Sequence, residues 1–206
     1  MSPALQALEK LREGNARFAS GTPTHAGLGG ATRRDELVEG QAPFAVVLGC
    51  SDSRVPVEIV FDRDLGDLFV IRVAGNIVAS SQIGSVEFAA QRYETRLVVV
   101  MGHSRCGAVQ ATLDELRRPS ETRSPNLHAI VDRIRPSIEE LLETGLADGE
   151  EALLQHAVRA NVRAAANHLR HGSDVLERLI RNDGLLVVGA LYSLESGVVD
   201  FFDGAP

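Results

Sequence analysis

Two segments of the chain share one arrangement, in which a short apolar run ends at a glycine and reactive polar side chains follow at once. The first is Phe44-Ala-Val-Val-Leu-Gly, followed by Cys50-Ser-Asp-Ser-Arg. The second is Leu97-Val-Val-Val-Met-Gly, followed by His103-Ser-Arg-Cys-Gly. Runs of this kind predict buried strands, and ligand sites in open α/β sheets lie beyond the carboxyl ends of the strands. If the two strands are neighbours, both clusters reach the same crevice.

The rest of the chain alternates between two kinds of pattern. Apolar β-type runs predict strands at residues 44–48, 68–73, 97–101, 185–191 and 198–202. Helical periodicity fills the gaps at residues 81–93, 108–117, 127–143, 151–171 and 175–181. Strands that alternate with helices indicate a parallel sheet with right-handed crossovers. We therefore predict one α/β domain over residues 1–206, with a mostly parallel central sheet of four strands, a C-terminal edge strand and flanking helices.

The first 20 residues carry an apolar stripe of their own at helical spacing, formed by Leu5, Leu8, Leu11 and Phe18. Residues 21–32 are rich in glycine and threonine and are expected to form a loop. The stripe therefore predicts an N-terminal helical arm over residues 1–20. Such an arm needs an apolar surface to lie on, either that of its own chain or that of a second copy.

Composition narrows the classes of partner and of location. The formal net charge is −7 and no basic stripe is present, which disfavours a nucleic-acid partner. No apolar run approaches the roughly 20 residues of a membrane helix, and the N-terminus lacks the apolar core of a secretory signal. The chain has only two cysteines, too few for a secreted disulfide scaffold. We therefore expect a cytoplasmic protein with no membrane partner.

The two polar clusters together offer Cys50 from one strand end and the pair His103 and Cys106 from the other. Thiolates and imidazole suit zinc, and three protein ligands leave a fourth position for water or another ligand. Taken alone, each residue is better explained as a small buried thiol or a hydrogen-bonded loop histidine. The clusters use both cysteines of the chain, however, and no Cys-x-x-Cys redox motif exists, so a metal site is favoured. Cys106 is also expected to begin a helix, whose N-terminal partial charge favours a thiolate.

Asp52 and Arg54 stand two residues apart, directly after Cys50, so in an extended turn both side chains can point to one side. A carboxylate beside a metal-bound water can accept its hydrogen bond and orient a lone pair. An adjacent guanidinium would keep that carboxylate ionised and aimed. The alternative is an ordinary surface ion pair, which contributes little to the stability of the fold. The position next to Cys50 favours a catalytic dyad.

These residues resemble the β-class carbonic anhydrase family, for which the combination Cys-x-Asp-x-Arg plus His-x-x-Cys is highly specific. The resemblance covers nearly the whole chain. It includes Glu13-Gly-Asn-x-Arg-Phe near the N-terminus, Gly66-Asp-Leu-Phe-Val-Ile-Arg at the second strand, and Gly189-Ala-Leu-Tyr at the fourth. The implied activity is reversible hydration of carbon dioxide to bicarbonate and a proton by zinc-hydroxide attack.

The resemblance also implies roles for individual residues. Zinc would be held by Cys50, His103 and Cys106, and Asp52 with Arg54 would form the catalytic dyad. Independently of the resemblance, Asp52 stands only two residues from Cys50, so its carboxylate could also reach the metal as a fourth ligand in a closed state of the site. The family further implies a homodimer or a multiple of dimers, with the N-terminal arm lying on a neighbouring subunit.

Four more residues are implied to bind the substrate. Gln41 stands nine residues before the first cysteine, where plant-type members carry a glutamine whose amide could donate to the substrate. Phe69 matches an apolar wall residue, and Gly107 matches a backbone contact near the metal. Phe88 falls where plant-type members have a tyrosine, and Ala74 where they have a valine. These two departures leave substrate preference more open than metal binding.

Two other functions remain as hypotheses. The same fold and metal could hydrolyse carbonyl sulfide or carbon disulfide, as some relatives of the family do. The chain could also be a non-catalytic zinc protein in which Asp52 is a permanent fourth ligand, because a closed tetrahedral site has no place for water. The presence of Arg54 and Gln41 speaks against that second hypothesis.

Overall fold

The computed structural model describes residues 1–24, 29–119, 124–142 and 149–206. Its elements follow one another as α1 (Pro3–Ala19), α2 (Ala31–Leu37), β1 (Ala45–Gly49), α3 (Val57–Val60), β2 (Leu68–Arg72), α4 (Ser80–Arg92), β3 (Leu97–His103), α5 (Gly107–Arg117), α6 (Pro125–Ile138), α7 (Glu150–His171), α8 (Asp174–Asn182), β4 (Leu186–Tyr192) and β5 (Val199–Asp203). Two 3₁₀ turns, Ala74–Asn76 and Glu139–Leu142, lie between these elements.

The five strands form one sheet in the order β2-β1-β3-β4-β5. The first four strands pair in parallel, and β5 pairs antiparallel with β4 at the edge. This arrangement confirms the predicted fold class. In this strand order the crossovers leave β1 and β3 toward opposite edges of the sheet, and such a switch point is where ligands bind in open α/β sheets.

The predicted strands and helices are confirmed with shifts of one or two residues at most of their ends. The helix predicted at 127–143 ends earlier, because α6 gives way to the 3₁₀ turn at Glu139–Leu142, and residue 143 lies outside the described residues. The helices α2 and α3 were not predicted. They have 7 and 4 residues, so neither is long enough to show helical periodicity. That residues 1–206 form one domain stays a prediction.

Each face of the sheet is covered by its own apolar layer. On one face α1 and α3 contribute Leu8, Leu11 and Val60 to a layer shared with β1 and β3. On the other face α4, α7 and α8 pack against the alternate strand positions. A third cluster, which includes both cysteines, lies beyond the strand ends among α5, α6 and α7. None of the helices in the described ranges is long and apolar enough to cross a membrane.

The N-terminal helix α1 packs against its own chain. Leu8 and Leu11 are 1% and 0% exposed in the single chain, so most of the apolar stripe is already covered. Gly14 explains the break in that stripe, because a Cβ at this position would collide with the carbonyl of Phe61. The idea that this stripe lies on a neighbouring subunit is therefore wrong for Leu8 and Leu11, and the other placement, on its own chain, is the one adopted.

Candidate metal centre

Two neighbouring strands deliver the reactive side chains to one edge of the sheet. Cys50 comes directly after β1, and β3 ends at His103. The two strands pair in parallel with Gly49 opposite Met101, so their carboxyl ends lie side by side. Cys106 is the N-cap residue of α5, which confirms the expectation that it begins a helix.

The three predicted metal ligands come together in the structure. One potential ligand atom from each of Cys50, His103 and Cys106 lies within 4.8 Å of the other two. All three residues are buried, with 5%, 0% and 0% of their surface exposed. Both cysteines are free thiols. The structure therefore brings two sulfurs and one imidazole close enough together to bind one metal ion.

The imidazole of His103 is oriented by its neighbour in sequence. Its Nδ1 lies 2.9 Å from the carbonyl oxygen of Ser104, which assigns the proton to Nδ1 and leaves Nε2 as the free acceptor. Nε2 is buried and has no hydrogen-bond partner among the described residues. A buried nitrogen without a partner is costly unless a ligand satisfies it. The donor set of two sulfurs and one nitrogen, with this unsatisfied atom, fits zinc.

The cluster favours one thiolate by its own contacts. A hydrogen bond from the Cys106 thiol lowers the pKa of Cys50, against the effect of burial, and the backbone N–H of Gly75 acts in the same direction. The pKa of Cys106 is raised, chiefly because this thiol keeps the proton shared with Cys50, and burial adds to the effect. The pair thus carries a negative charge that suits a divalent cation.

The predicted dyad lies beside this cluster. Arg54 donates from Nε to Oδ1 of Asp52 at 2.9 Å and from Nη2 to Oδ2 at 2.7 Å, so the two side chains form a bidentate ion pair. The backbone N–H of Arg54 also donates to Oδ1, at 3.0 Å. The hydrogen bonds from Arg54 hold the pKa of Asp52 well below its usual range. Oδ2 lies 3.9 Å from Nε2 of His103, so an ionised carboxylate faces the edge of the cluster.

Three of the predicted substrate-binding residues lie away from the metal-ligand cluster of their own chain. Phe69 stands opposite Val46 in the sheet register, four residues before Cys50, which is about 13 Å along a strand. The rings of Phe69 and Phe88 are 6.2 Å apart, and both also contact Tyr93. Gln41 donates to the hydroxyl of Tyr93 at 3.1 Å. We call Gln41, Phe69, Phe88 and Tyr93 the aromatic cluster.

The aromatic cluster is partly open to its surroundings, since Phe88 is 52% exposed. Gly107, the fourth predicted residue, is the first residue of α5 and follows Cys106 directly. A Cβ at Gly107 would meet no other atom within 4 Å, so packing does not require a glycine there. The roles of these four residues in substrate binding stay predictions.

The structure adds residues around the centre that the sequence did not single out. Arg72, at the end of β2, donates from Nε to the carbonyl of Cys50 at 3.0 Å and from Nη2 to that of Asp52 at 2.5 Å. The buried Asn161 donates to the carbonyl of Gly75 at 2.8 Å, and the N–H of Gly75 faces the sulfur of Cys50. Arg72 pairs with Gly49 in the register, so only the strand alignment reveals its position.

Comparisons with a family model and with known proteins all point to one family. A family model described as "Carbonic anhydrase" matches residues 45–199, which include every residue of the centre. A carbonic anhydrase of Mycolicibacterium smegmatis is 39% identical over 199 residues, covering 97% of this chain and 93% of the relative. Carbonic anhydrase 2 of Mycobacterium tuberculosis is 38% identical over 191 residues, covering 93% and 89%.

Solved structures agree with this result. The β-carbonic anhydrase CcaA has a TM-score of 0.77 at 28% identity, covering 97% of this chain and 93% of that one. The β-carbonic anhydrase CafA of Aspergillus fumigatus has a TM-score of 0.75 at 25% identity, covering 98% and 91%.

Proposed function

Because the chain belongs to the β-class carbonic anhydrase family, we propose that it catalyses the reversible hydration of carbon dioxide to bicarbonate and a proton. The observation that carries the proposal is the buried cluster of two thiols and an unpaired imidazole nitrogen with an ionised carboxylate beside it. Cys50, His103 and Cys106 are the zinc ligands. Zinc lowers the pKa of a bound water to about 7, which makes an oxygen nucleophile available near neutral pH.

The residues of the chain prepare the centre for this chemistry. The carbonyl of Ser104 fixes the ring of His103 through Nδ1 and leaves the buried Nε2 free to bind the metal. Asp52 is the hydrogen-bond acceptor that orients the nucleophile, and it stays ionised at neutral pH because Arg54 holds its pKa low. Arg54 occupies both oxygens of Asp52, which keeps this carboxylate from closing the site as a fourth ligand. This pairing supports the enzyme over a closed, non-catalytic zinc protein.

The functional unit is a homodimer or a multiple of dimers. The aromatic cluster carries the residue types that the family uses at the substrate, yet Phe69 is four register positions away from Cys50 in its own chain. The exposure of Phe88 leaves this cluster available to a second copy. Gln41, Phe69 and Phe88 would then line the substrate pocket of the partner's centre, and Gly107 that of its own. Two unpaired cysteines support a cytoplasmic location.

A stopped-flow assay of carbon dioxide hydration tests the proposed function. We expect fast hydration that is lost on treatment with a zinc chelator and restored when zinc is added back. Carbonyl sulfide and carbon disulfide, assayed beside carbon dioxide, should be much poorer substrates. A protein that contains zinc but does not accelerate hydration would contradict the proposal, and a preference for a sulfur substrate would move it to the hydrolases.

A further inference from the structure

One carboxylate contacts both residues that separate His103 from Cys106. Glu195 lies in the turn between β4 and β5. Its Oε2 accepts a hydrogen bond from the hydroxyl of Ser104 at 2.8 Å, and its Oε1 lies 2.9 Å from Nε of Arg105. Ser193 adds a second hydroxyl donor to Oε2, at 3.2 Å. The turn between two strands is thereby tied to the loop that carries two of the three ligands.

Ser104 transmits this contact to the imidazole. Its backbone N–H donates to the carbonyl of Tyr192 at 2.9 Å, and its hydroxyl also accepts from the N–H of Leu194 at 2.9 Å. Ser104 is thus held from the β4 side through both backbone and side chain. Its carbonyl in turn accepts the proton on Nδ1 of His103. Because the hydrogen bond at one ring nitrogen orients the whole ring, a fixed Ser104 also fixes the position of the free Nε2.

Arg105 transmits the contact to the other side of the loop. Its φ angle is 55°, in the left-handed region that a residue with a side chain rarely adopts. The ion pair with Glu195 holds the guanidinium of Arg105 while the backbone keeps this disfavoured turn. The carbonyl of Arg105 accepts from Nη2 of Arg54 at 3.4 Å, so the same turn also touches the dyad. The next residue in the chain is Cys106.

We propose that Glu195 is a positioning residue of the metal centre, which fixes the ring of His103 through Ser104 and the turn before Cys106 through Arg105. The inference rests on the proposed function, in that the cluster must hold zinc. Arg105 and Glu195 have side chains that are 61% and 48% exposed, so the ion pair by itself stabilises the fold little. Its effect is on the geometry of the ligands. The hydrogen bond from Ser104 keeps the pKa of Glu195 below its ordinary value, so the carboxylate is charged at neutral pH.

Three variants separate positioning from general stability. Glu195→Ala removes all contacts of the carboxylate, whereas Glu195→Gln keeps an oxygen for the hydroxyl of Ser104 and loses the charge that faces Arg105. Glu151→Ala is the matched control, because Glu151 also pairs with Arg105, at 3.4 Å, whereas the hydroxyl of Ser104 donates to Glu195. The measurements are the rate at which zinc passes to an excess of a chromophoric chelator, the Tm of the zinc-free protein, and kcat and KM for hydration.

We expect Glu195→Ala to lose zinc roughly 10-fold faster than the wild type, at the lower end of the effect of an outer-shell partner on metal affinity. Its kcat should fall with KM unchanged, Glu195→Gln should lie between it and the wild type, and Glu151→Ala should match the wild type. The Tm of the zinc-free forms should be the same for all four proteins. Zinc release from Glu195→Ala at the wild-type rate would overturn the inference, and so would faster release accompanied by an equal loss of zinc-free stability. A wild type that binds zinc without hydrating carbon dioxide would refute the proposed function alone.

Discussion

Replacing Arg54 by alanine tests whether Asp52 works at the metal centre. The substitution removes the two side-chain hydrogen bonds to Asp52, at 2.9 and 2.7 Å, and of the donors in the described residues it leaves the backbone N–H of residue 54 on Oδ1. Oδ2 is 3.9 Å from Nε2 of His103, so a small rotation of the freed carboxylate brings it into the ligand cluster. An anion there occupies the fourth position, which the nucleophile needs.

The size of the effect follows from the kind of contact that is lost. Removing an outer-shell partner at a metal centre costs roughly 10–100-fold in activity or affinity. Closure of the site by Asp52 adds to this loss, so we expect hydration by Arg54→Ala to fall toward or beyond the upper end of that range while zinc is retained. Arg54→Lys should restore only part of the rate, since an ammonium group cannot form the bidentate pair that a guanidinium forms with a carboxylate.

The assay combines zinc content with stopped-flow hydration between pH 7 and 9. Raising the pH should recover part of the activity of Arg54→Ala, because hydroxide then competes with Asp52 for the fourth position. Near-wild-type turnover by Arg54→Ala across this range would show that the dyad is an ordinary surface ion pair. Loss of zinc from this variant would show instead that Arg54 acts on metal retention.

Three further outcomes follow from the same geometry. Cys50→Ser should reduce zinc from about one per chain to a small fraction in metal analysis, and full occupancy would refute the ligand assignment. Phe88→Asp should weaken self-association, measured by light scattering, and lower kcat. Leu127→Asp, at an equally exposed apolar residue, should change neither. A wild type that is monomeric at micromolar concentration would contradict the dimer. Arg54 keeps the pKa of Asp52 in the folded protein below the value of about 4 that an aspartate has in an unfolded chain. The ionised carboxylate therefore stabilises the fold fully above about pH 4, and this contribution is lost as the pH falls toward the lower folded-state pKa. The difference in Tm between the zinc-free wild type and zinc-free Arg54→Ala should therefore be constant from pH 5 to 9 and shrink as the pH falls below 4.

The reactive atoms of the centre could be predicted because each belongs to a local pattern. An apolar run that ends at Gly49 or Gly102 indicates a strand end, and the side chain that follows must lie at the edge of the sheet. The one assumption was that the two strands are neighbours, and the register confirms it. The positions of the other strands were not needed, because two parallel neighbours bring Cys50 and His103 to the same edge of the sheet whichever strands flank them.

The short helices and the path of α1 could not be predicted in the same way. A helix of 4 or 7 residues contains no more than two turns, so periodicity cannot distinguish it from a loop. The apolar stripe of α1 is equally suited to its own sheet and to a second copy. What decides between them is the close approach at Gly14, which depends on the position of the Phe61 carbonyl, 47 residues further along the chain.

The outer contacts of the centre were missed for a related reason. Arg72 reaches the carbonyl of Cys50 because the register puts it opposite Gly49, and Glu195 reaches Ser104 because β4 pairs with β3 up to Tyr192 opposite His103. Arg72 ends the second-strand segment that carries the family resemblance, but that segment gives it no role at the metal, and Glu195 belongs to no such segment. Arg72 lies 22 and 20 positions from Cys50 and Asp52, whose carbonyls it contacts, and Glu195 lies 91 positions from Ser104. The ligands are thus supplied by local sequence, whereas the alignment of the strands supplies what holds them in place. A single register shift between β3 and β4 would leave all three ligands in the chain and yet separate Glu195 from the loop that carries two of them.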